Sequence, residues 1–267
     1  ITSVDADHLD IYGDKKQMRD AFAEFAKKVN PQGKLYTQGA ISSFGHNDET
    51  SYSAEGESTI IASDIQVKNG TYHFDFQSEK GTIPDCQLGM AGRHNVENAT
   101  AAIAVCIELE VPLEAIKSAL ASYRGVQRRF DIHVKNDAVV YIDDYAHHPT
   151  ELTSTILSAR EMFPGKKISG VFQPHLFSRT RDFADEFAES LELLDEIILL
   201  PIYPARELPI PGVDSQMLLD KITNTPKNLV NKSDLLVHLK NSAPEVLLTL
   251  GAGDIDQFVG PIKSMLE

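Results

Sequence analysis

Apolar residues recur along this chain with two different periods, and the character of the pattern changes near residue 125. From about Lys15 to Val29 the spacing is helical, with Met18, Phe22, Phe25 and Ala26 on one face, and Asn30-Pro31-Gln32-Gly33 ends the helix. Ahead of it, Ile1 to Asp10 reads as a strand end running into an acidic loop. Between Lys34 and Leu88 the pattern shortens to alternating strands, with turn signals at Phe44–Asp48 and Lys68-Asn69-Gly70. The second signal predicts a hairpin joining Ile65-Gln66-Val67 to Thr71-Tyr72-His73-Phe74. A strongly apolar helix over Ala99–Glu108 follows Gly92-Arg93-His94-Asn95, and a further helix over Leu113–Tyr123 follows the break at Val111-Pro112.

Gly125-Val126-Gln127-Arg128-Arg129-Phe130 reads as a linker. Beyond it, apolar runs at 138–142, 168–172, 196–200 and 246–250 alternate with helical patterns near 150–162, 182–193, 215–222 and 254–265. Such alternation predicts an α/β fold with a mostly parallel, doubly wound sheet. The boundary near residue 125 gives two domains, 1–125 and 126–267.

In a parallel sheet the loops that follow the strands emerge at one edge, where ligands bind in open α/β folds. Here those loops carry Asp143-Asp144-Tyr145-Ala146-His147-His148, then Gln173-Pro174-His175-Leu176-Phe177-Ser178-Arg179, then Tyr203-Pro204-Ala205-Arg206-Glu207, then Gly251-Ala252-Gly253-Asp254. The strands themselves are nearly bare of ionisable groups, so the chemistry concentrates on one rim. Each signal has a plainer reading beside it. Asp143-Asp144 suits turn chemistry and helix capping as well as catalysis. Arg179 and Arg206 suit a bidentate hold on a carboxylate or phosphate, or else surface ion pairs. Gly251-Ala252-Gly253 suits a phosphate at a helix N-terminus or a tight connection. His8, among Asp5, Asp7 and Asp10, suits a divalent-cation site or an acidic capping loop. Asn95 and Asn98, three apart on one helix face, offer carboxamides to a planar heterocycle such as adenine, or cap the helix end.

Composition narrows the class. The formal net charge is −14, which argues against non-specific nucleic-acid binding. No apolar run is long enough to span a bilayer, and no secretory signal opens the chain. Cys86 and Cys106 are too few for a disulfide framework, so a reducing cytoplasm is the expected setting.

Taken in order, Gly92-Arg93-His94-Asn95-Val96-Glu97-Asn98-Ala99, Gln127-Arg128-Arg129-Phe130-Asp131, Asp143–Thr150, Gln173-Pro174-His175 with Ser178-Arg179-Thr180, Tyr203–Glu207 and Gly251-Ala252-Gly253-Asp254-Ile255 resemble the Mur ligases over essentially the whole chain. The opening Asp5–Asp10 is similar to that family as well. The resemblance implies the later part of a central ATP-binding domain over 1–125 and a Rossmann-like, amino-acid-binding C-terminal domain over 126–267. It also implies ATP and Mg2+, with UDP-N-acetylmuramate and L-alanine as substrates, in a monomer or weak dimer with no nucleic-acid or membrane partner. By position it places His94, Asn95, Asn98, Arg129 and Asp144 at the nucleotide, Asp144 on the ribose hydroxyls, and His8 on magnesium. Tyr145, His147, His175, Arg179 and Arg206 fall around the amino acid and the reacting carboxylate, with His147, His175 and Arg179 in catalytic roles.

Two departures stand out. No Gly-x-x-x-x-Gly-Lys-Ser/Thr loop occurs, and the resemblance places it, with the UDP-binding domain, before Ile1, so the 267 residues alone are expected not to ligate. Where many members carry Arg after Gln-Pro-His, this chain has Leu176. Competing expectations are a peptide-recycling member of the same family, which Tyr145 disfavours, and a non-catalytic nucleotide-binding module. A third is a metal-dependent hydrolase built on His8, His147, His148 and His175.

Overall fold

Two sheets carry the chain, one in each of the units Ile1–Tyr123 and Arg124–Glu267. The structure, a computed structural model, describes residues 1–5, 12–54, 56–68 and 70–267. His8 lies outside the described residues.

In the first unit α1 (Lys15–Ala26) starts behind Asp14, whose carboxylate accepts from the Gln17 amide at 2.8 Å and so satisfies one of the unpaired first-turn donors. Met18 and Ala26 are buried, whereas Phe25, expected on the same face, is 59% exposed. Strands β1 (Leu35–Gln38), β2 (Glu49–Ser53), β3 (Ile60–Lys68), β4 (Thr71–Ser78) and β5 (Gly81–Leu88) lie in that order. The first three run parallel and the last two antiparallel to their neighbours. The expected hairpin is present, with Gln66 opposite His73 and Lys68 opposite Thr71. The turn signal at 44–48 instead joins parallel strands. Its backbone is gathered by the Glu49 carboxylate, which accepts from the Phe44 and Gly45 amides and from Ser43 Oγ. Alternate residues Tyr72, Phe74 and Phe76 of β4 are buried, as the twofold side-chain period of a strand requires. Helix α2 (Arg93–Glu108) lays Val96, Ile103 and Ala104 against this sheet, and α3 (Leu113–Ser122) follows it.

The second unit comprises β6 (Asp131–Lys135), β7 (Val140–Asp144), α4 (Pro149–Met162), β8 (Ile168–Phe172), α5 (Phe177–Asp182), α6 (Ala184–Leu191), β9 (Glu196–Leu199), α7 (Ser215–Lys221), β10 (Lys227–Leu229), α8 (Leu235–Ser242), β11 (Val246–Leu250) and α9 (Val259–Leu266). Its sheet runs β10-β9-β8-β11-β7-β6, parallel except for β6, which pairs antiparallel with β7. Every residue of β7, β8 and β11 is buried. Leu235, Leu239, Ile255 and Ile262 pack with Tyr141, Val171, Ile198 and Leu247 in one core cluster. Elsewhere in the unit the Phe187 ring of α6 lies 5.4 Å from that of Phe172 in β8. Each fully buried Leu or Ile contributes roughly 1.5–3 kcal/mol. The mostly parallel α/β architecture is the one the alternating pattern predicts.

Four elements escape the sequence pattern, among them helix α5 (Phe177–Asp182), which lies where a loop is expected. Edge strand β6 mixes polar and apolar residues, β10 has three residues, and α8 follows it after one 3-10 turn at Lys232–Asp234. Strand β7 also runs two residues further than its apolar stretch suggests. Asp143 and Asp144 are therefore strand residues, opposite Thr249 and Leu250, and not part of a loop.

Candidate active site

Five chain segments meet at the carboxyl edge of the second sheet. The tail of β7 supplies the first. Asp143 is wholly buried, and its Oδ1 accepts from Thr249 Oγ1 at 2.7 Å, while Oδ2 accepts from Arg128 Nε at 3.1 Å. The Tyr141 hydroxyl, 3.0 Å from Thr249 Oγ1, completes a buried polar line, and burial holds its phenol well above the ordinary range. Asp144 is 5% exposed, and its two oxygens accept from the Phe130 and Ala146 amides, each at 2.8 Å. Burial outweighs those hydrogen bonds and raises its pKa to about 6. Its surroundings make it a brace for the turns on either side. A ribose, expected for it from the sequence, would have to reach a carboxylate that faces inward.

The second segment opens α4. Glu151 folds back so that its carboxylate accepts from the His147 and His148 amides at 2.9 and 3.2 Å, satisfying donors that the helix start leaves open. His147 Nδ1 lies 2.9 Å from the Tyr145 carbonyl, which only accepts, so Nδ1 carries a proton. His148 turns away and packs edge-on against Phe183 at 4.9 Å.

The third and fourth segments extend beyond β8 and β9 and stay paired. The Leu176 amide donates to the Tyr203 carbonyl at 3.0 Å, and the Tyr203 amide to the Pro174 carbonyl at 2.9 Å. This stacks the His175 ring on Tyr203, with centroids 5.7 Å apart and planes at 19°. Rings run without a break along the rim, Tyr145 to His147 at 5.1 Å and His147 to His175 at 6.1 Å. Glu207 ties the two loops together, accepting from the amide and hydroxyl of Ser178; burial opposes its charge, but these bonds hold it below the carboxylate range. His175 Nδ1 is buried with no hydrogen-bond partner among the described residues. Burial, then the positive charges of His147, Arg179 and Arg206, lower its imidazole to about 4, with Glu207 opposing. The charges that act on His175 belong to His147, Arg179 and Arg206, all picked out from sequence.

Gly251-Ala252-Gly253 closes the rim. A Cβ on Gly251 would lie 2.7 Å from the Gln173 carbonyl, and one on Gly253 only 2.7 Å from Tyr203 Cβ. Further on, the Ile255 amide donates to Gln173 Oε1 at 2.9 Å. These glycines make a tight connection against Gln173 and Tyr203.

In the first unit, α2 begins at Gly92, whose φ of 105° is open to glycine. Asn95 is buried and donates to the Ala91 carbonyl at 2.5 Å; exposed Asn98 donates to Asn95 Oδ1 at 3.4 Å, and His94 is half-buried beside them. The two carboxamides thus share one face, with the inner one closing the helix start. Among the described residues no three His, Cys, Asp or Glu side chains form a group able to hold a metal ion; His8, one of the four histidines of the hydrolase reading, is not among them.

Residues 1–106 match the Mur ligase middle domain, and residues 128–254 match the Mur ligase, glutamate ligase domain. Over all 267 residues the chain is 47% identical to UDP-N-acetylmuramate--L-alanine ligase of Flavobacterium psychrophilum. The chain belongs to the Mur ligase family.

The aligned region is 59% of that relative's length and 58% of the length of the corresponding ligase of Christiangramia forsetii, also 47% identical. The crystal structure of UDP-N-acetylmuramate-alanine ligase MurC from Thermotoga maritima superposes with a TM-score of 0.77 at 25% identity, over 99% of this chain and 59% of that one. MurF ligase from Thermotoga maritima in complex with ADP gives 0.77 at 19% identity, over 99% and 61%, a likeness of fold alone. Sequence reasoning about this Mur ligase passed over Arg128, Gln173 and Lys232. Lys232 pairs with Asp254 and lies 5.8 Å over the Tyr203 ring. Arg128 adjoins Arg129, the residue the motif singles out, and Gln173 precedes the motif histidine, so spacing alone gave no means of separating them.

Proposed function

We propose that this chain is the later central part and the C-terminal domain of an ATP-dependent ligase joining L-alanine to UDP-N-acetylmuramate in cytoplasmic peptidoglycan precursor synthesis. The observation that carries the reading is the His147–His175–Arg179–Arg206 cluster at the carboxyl edge of a parallel sheet, in a chain whose full length aligns with ligases of that name.

The lactyl carboxylate takes the γ-phosphoryl group of ATP, giving an acyl phosphate and ADP. The amine of L-alanine then attacks the acyl carbon and expels phosphate, which requires positioned positive charge more than a covalent catalyst. The Arg179 guanidinium holds the alanine carboxylate, since its fork matches that ion. Arg206 adds to the positive field the phosphorylated intermediate needs. His175 stays uncharged over the working pH range, so its ring keeps an acceptor nitrogen for an N–H of the amino group, which an imidazolium would lack. The motif assigns Asn95, Asn98 and His94 to the adenine nucleotide, and it assigns Arg129, its side chain 49% exposed and 3.5 Å from Glu151, to nucleotide as well. Magnesium would accompany ATP, but the described residues do not complete a cation site and no step is assigned to it.

The test follows ADP release by the complete gene product with UDP-N-acetylmuramate, comparing L-alanine with an Ala-Glu-diaminopimelate tripeptide. Turnover with L-alanine supports the reading. Preference for the tripeptide moves the chain to peptide recycling, and silence with both removes the ligase assignment.

A further inference from the structure

Arg128 stands one residue before the arginine that the family motif assigns to nucleotide, and its surroundings give it a different task. Its side chain is 22% exposed, and two of its three nitrogens donate to internal partners. Nε donates to Asp143 Oδ2 at 3.1 Å, Nη2 donates to the Gly251 carbonyl at 2.7 Å, and Nη1 lies 3.8 Å from Asp256. The guanidinium carbon sits 5.1 Å from the centroid of the Tyr145 ring, and the Arg128 carbonyl accepts from the Tyr145 amide at 2.7 Å. The residue adopts φ 60°, a left-handed backbone unusual for arginine, and Phe130 beyond it adopts φ 50°. Strain of this kind persists where surrounding bonds over-determine the geometry. Here the Tyr145 amide, Asp143, Gly251 and Asp144 all hold the segment.

We propose that Arg128 is a positioning residue for the amino-acid end of the site: it fixes the Tyr145 ring from behind and the Gly251 turn from the side. The Gly251 backbone packs on Gln173, two residues before His175, so one guanidinium sets the spacing between the Tyr145–His147 and His175–Tyr203 ends of the ring ladder. An ammonium cannot replace it. Lysine keeps a positive charge for buried Asp143, but it has no planar face for Tyr145 and cannot reach Asp143 and Gly251 in fork geometry.

This inference rests on the ligase reading, and the experiment separates the two. In the complete gene product, Arg128→Lys is expected to leave the unfolding midpoint close to that of the parent. It is expected to raise KM for L-alanine about five- to tenfold, the size of a lost stacked cation contact, with KM for ATP within about twofold. Arg128→Met, which also strands Asp143, loses stability as well. An unchanged KM for L-alanine in Arg128→Lys, or equal rises for L-alanine and ATP, overturns the positioning role. Should the parent protein show no turnover, the ligase reading fails by itself. Hydrogen exchange over residues 141–148 then decides the inference: faster exchange at the Tyr145 amide in Arg128→Lys supports it, and identical exchange overturns it.

Discussion

At the scale of single residues, two side chains on the rim are tuned in opposite directions, and both consequences are measurable. Asp144 has a folded pKa of about 6 against an ordinary 3.8, so the folded protein holds its proton more tightly than the unfolded one. Its contribution is therefore fully present below pH 4 and is lost as pH rises to 6, a swing of ~3 kcal/mol. The stability difference between the parent protein and Asp144→Asn, measured by urea unfolding from pH 4 to 7, should fall by that order as pH rises. His175 works the other way, with a folded value of about 4 below an ordinary 6.5. Its contribution is present above pH 6.5 and disappears as pH falls toward 4. Because the ring is neutral throughout the assay range, the kcat/KM profile above pH 5.5 should have the same shape in His175→Gln as in the parent, at a lower level. A limb lost from the profile in that variant would show instead that His175 titrates during turnover.

At the scale of elements, the glycines that close the rim differ sharply from those that merely turn the chain. Gly253→Ala drives a methyl against Tyr203 and Gln173 and is expected to cost about 1–3 kcal/mol, with activity falling as the Tyr203–His175 stack shifts. Gly212→Ala, in open space at φ 78°, meets only backbone strain, about 1 kcal/mol. Urea midpoints of the two variants decide the ranking. Much of this half of the molecule was legible in the sequence. Runs such as Val246–Leu250 have no polar residue except Thr249, and buried parallel strands read as continuous apolar stretches. What was hidden had a physical cause in each case. The end of β7 is polar because Asp143 and Asp144 are satisfied by Arg128, 15 residues away, by Thr249, 106 residues away, and by the Phe130 and Ala146 amides, and no local pattern reports partners at the longer separations. The Gly251–Gly253 turn shows the same limit, because its crowding by Gln173 and Tyr203 exists only once β8, β9 and β11 have assembled. The cluster of His147, His175, Arg179 and Arg206 was legible because strand direction alone brings those loops to one edge.

At the scale of the whole molecule, each unit has its own sheet and its own buried side chains, and the segment 124–127 between them has no regular structure. Arg124, Val126 and Gln127 are exposed. Brief trypsin treatment is expected to cut first after Arg124, and mass spectrometry with circular dichroism should find two pieces that keep their secondary structure. Early cuts inside α4 or α6 would contradict this. The strand order carries a last consequence, for how the protein is made. β11 is the final strand in the chain, yet it lies between β7 and β8. While the ribosome is still translating residues before Val246, the strands that will flank β11 have no shared neighbour, and each presents a bare apolar edge. The second sheet cannot knit as it emerges. It must wait until Val246–Leu250 has been made, and until then the edges of β7 and β8 are open to wrong pairing.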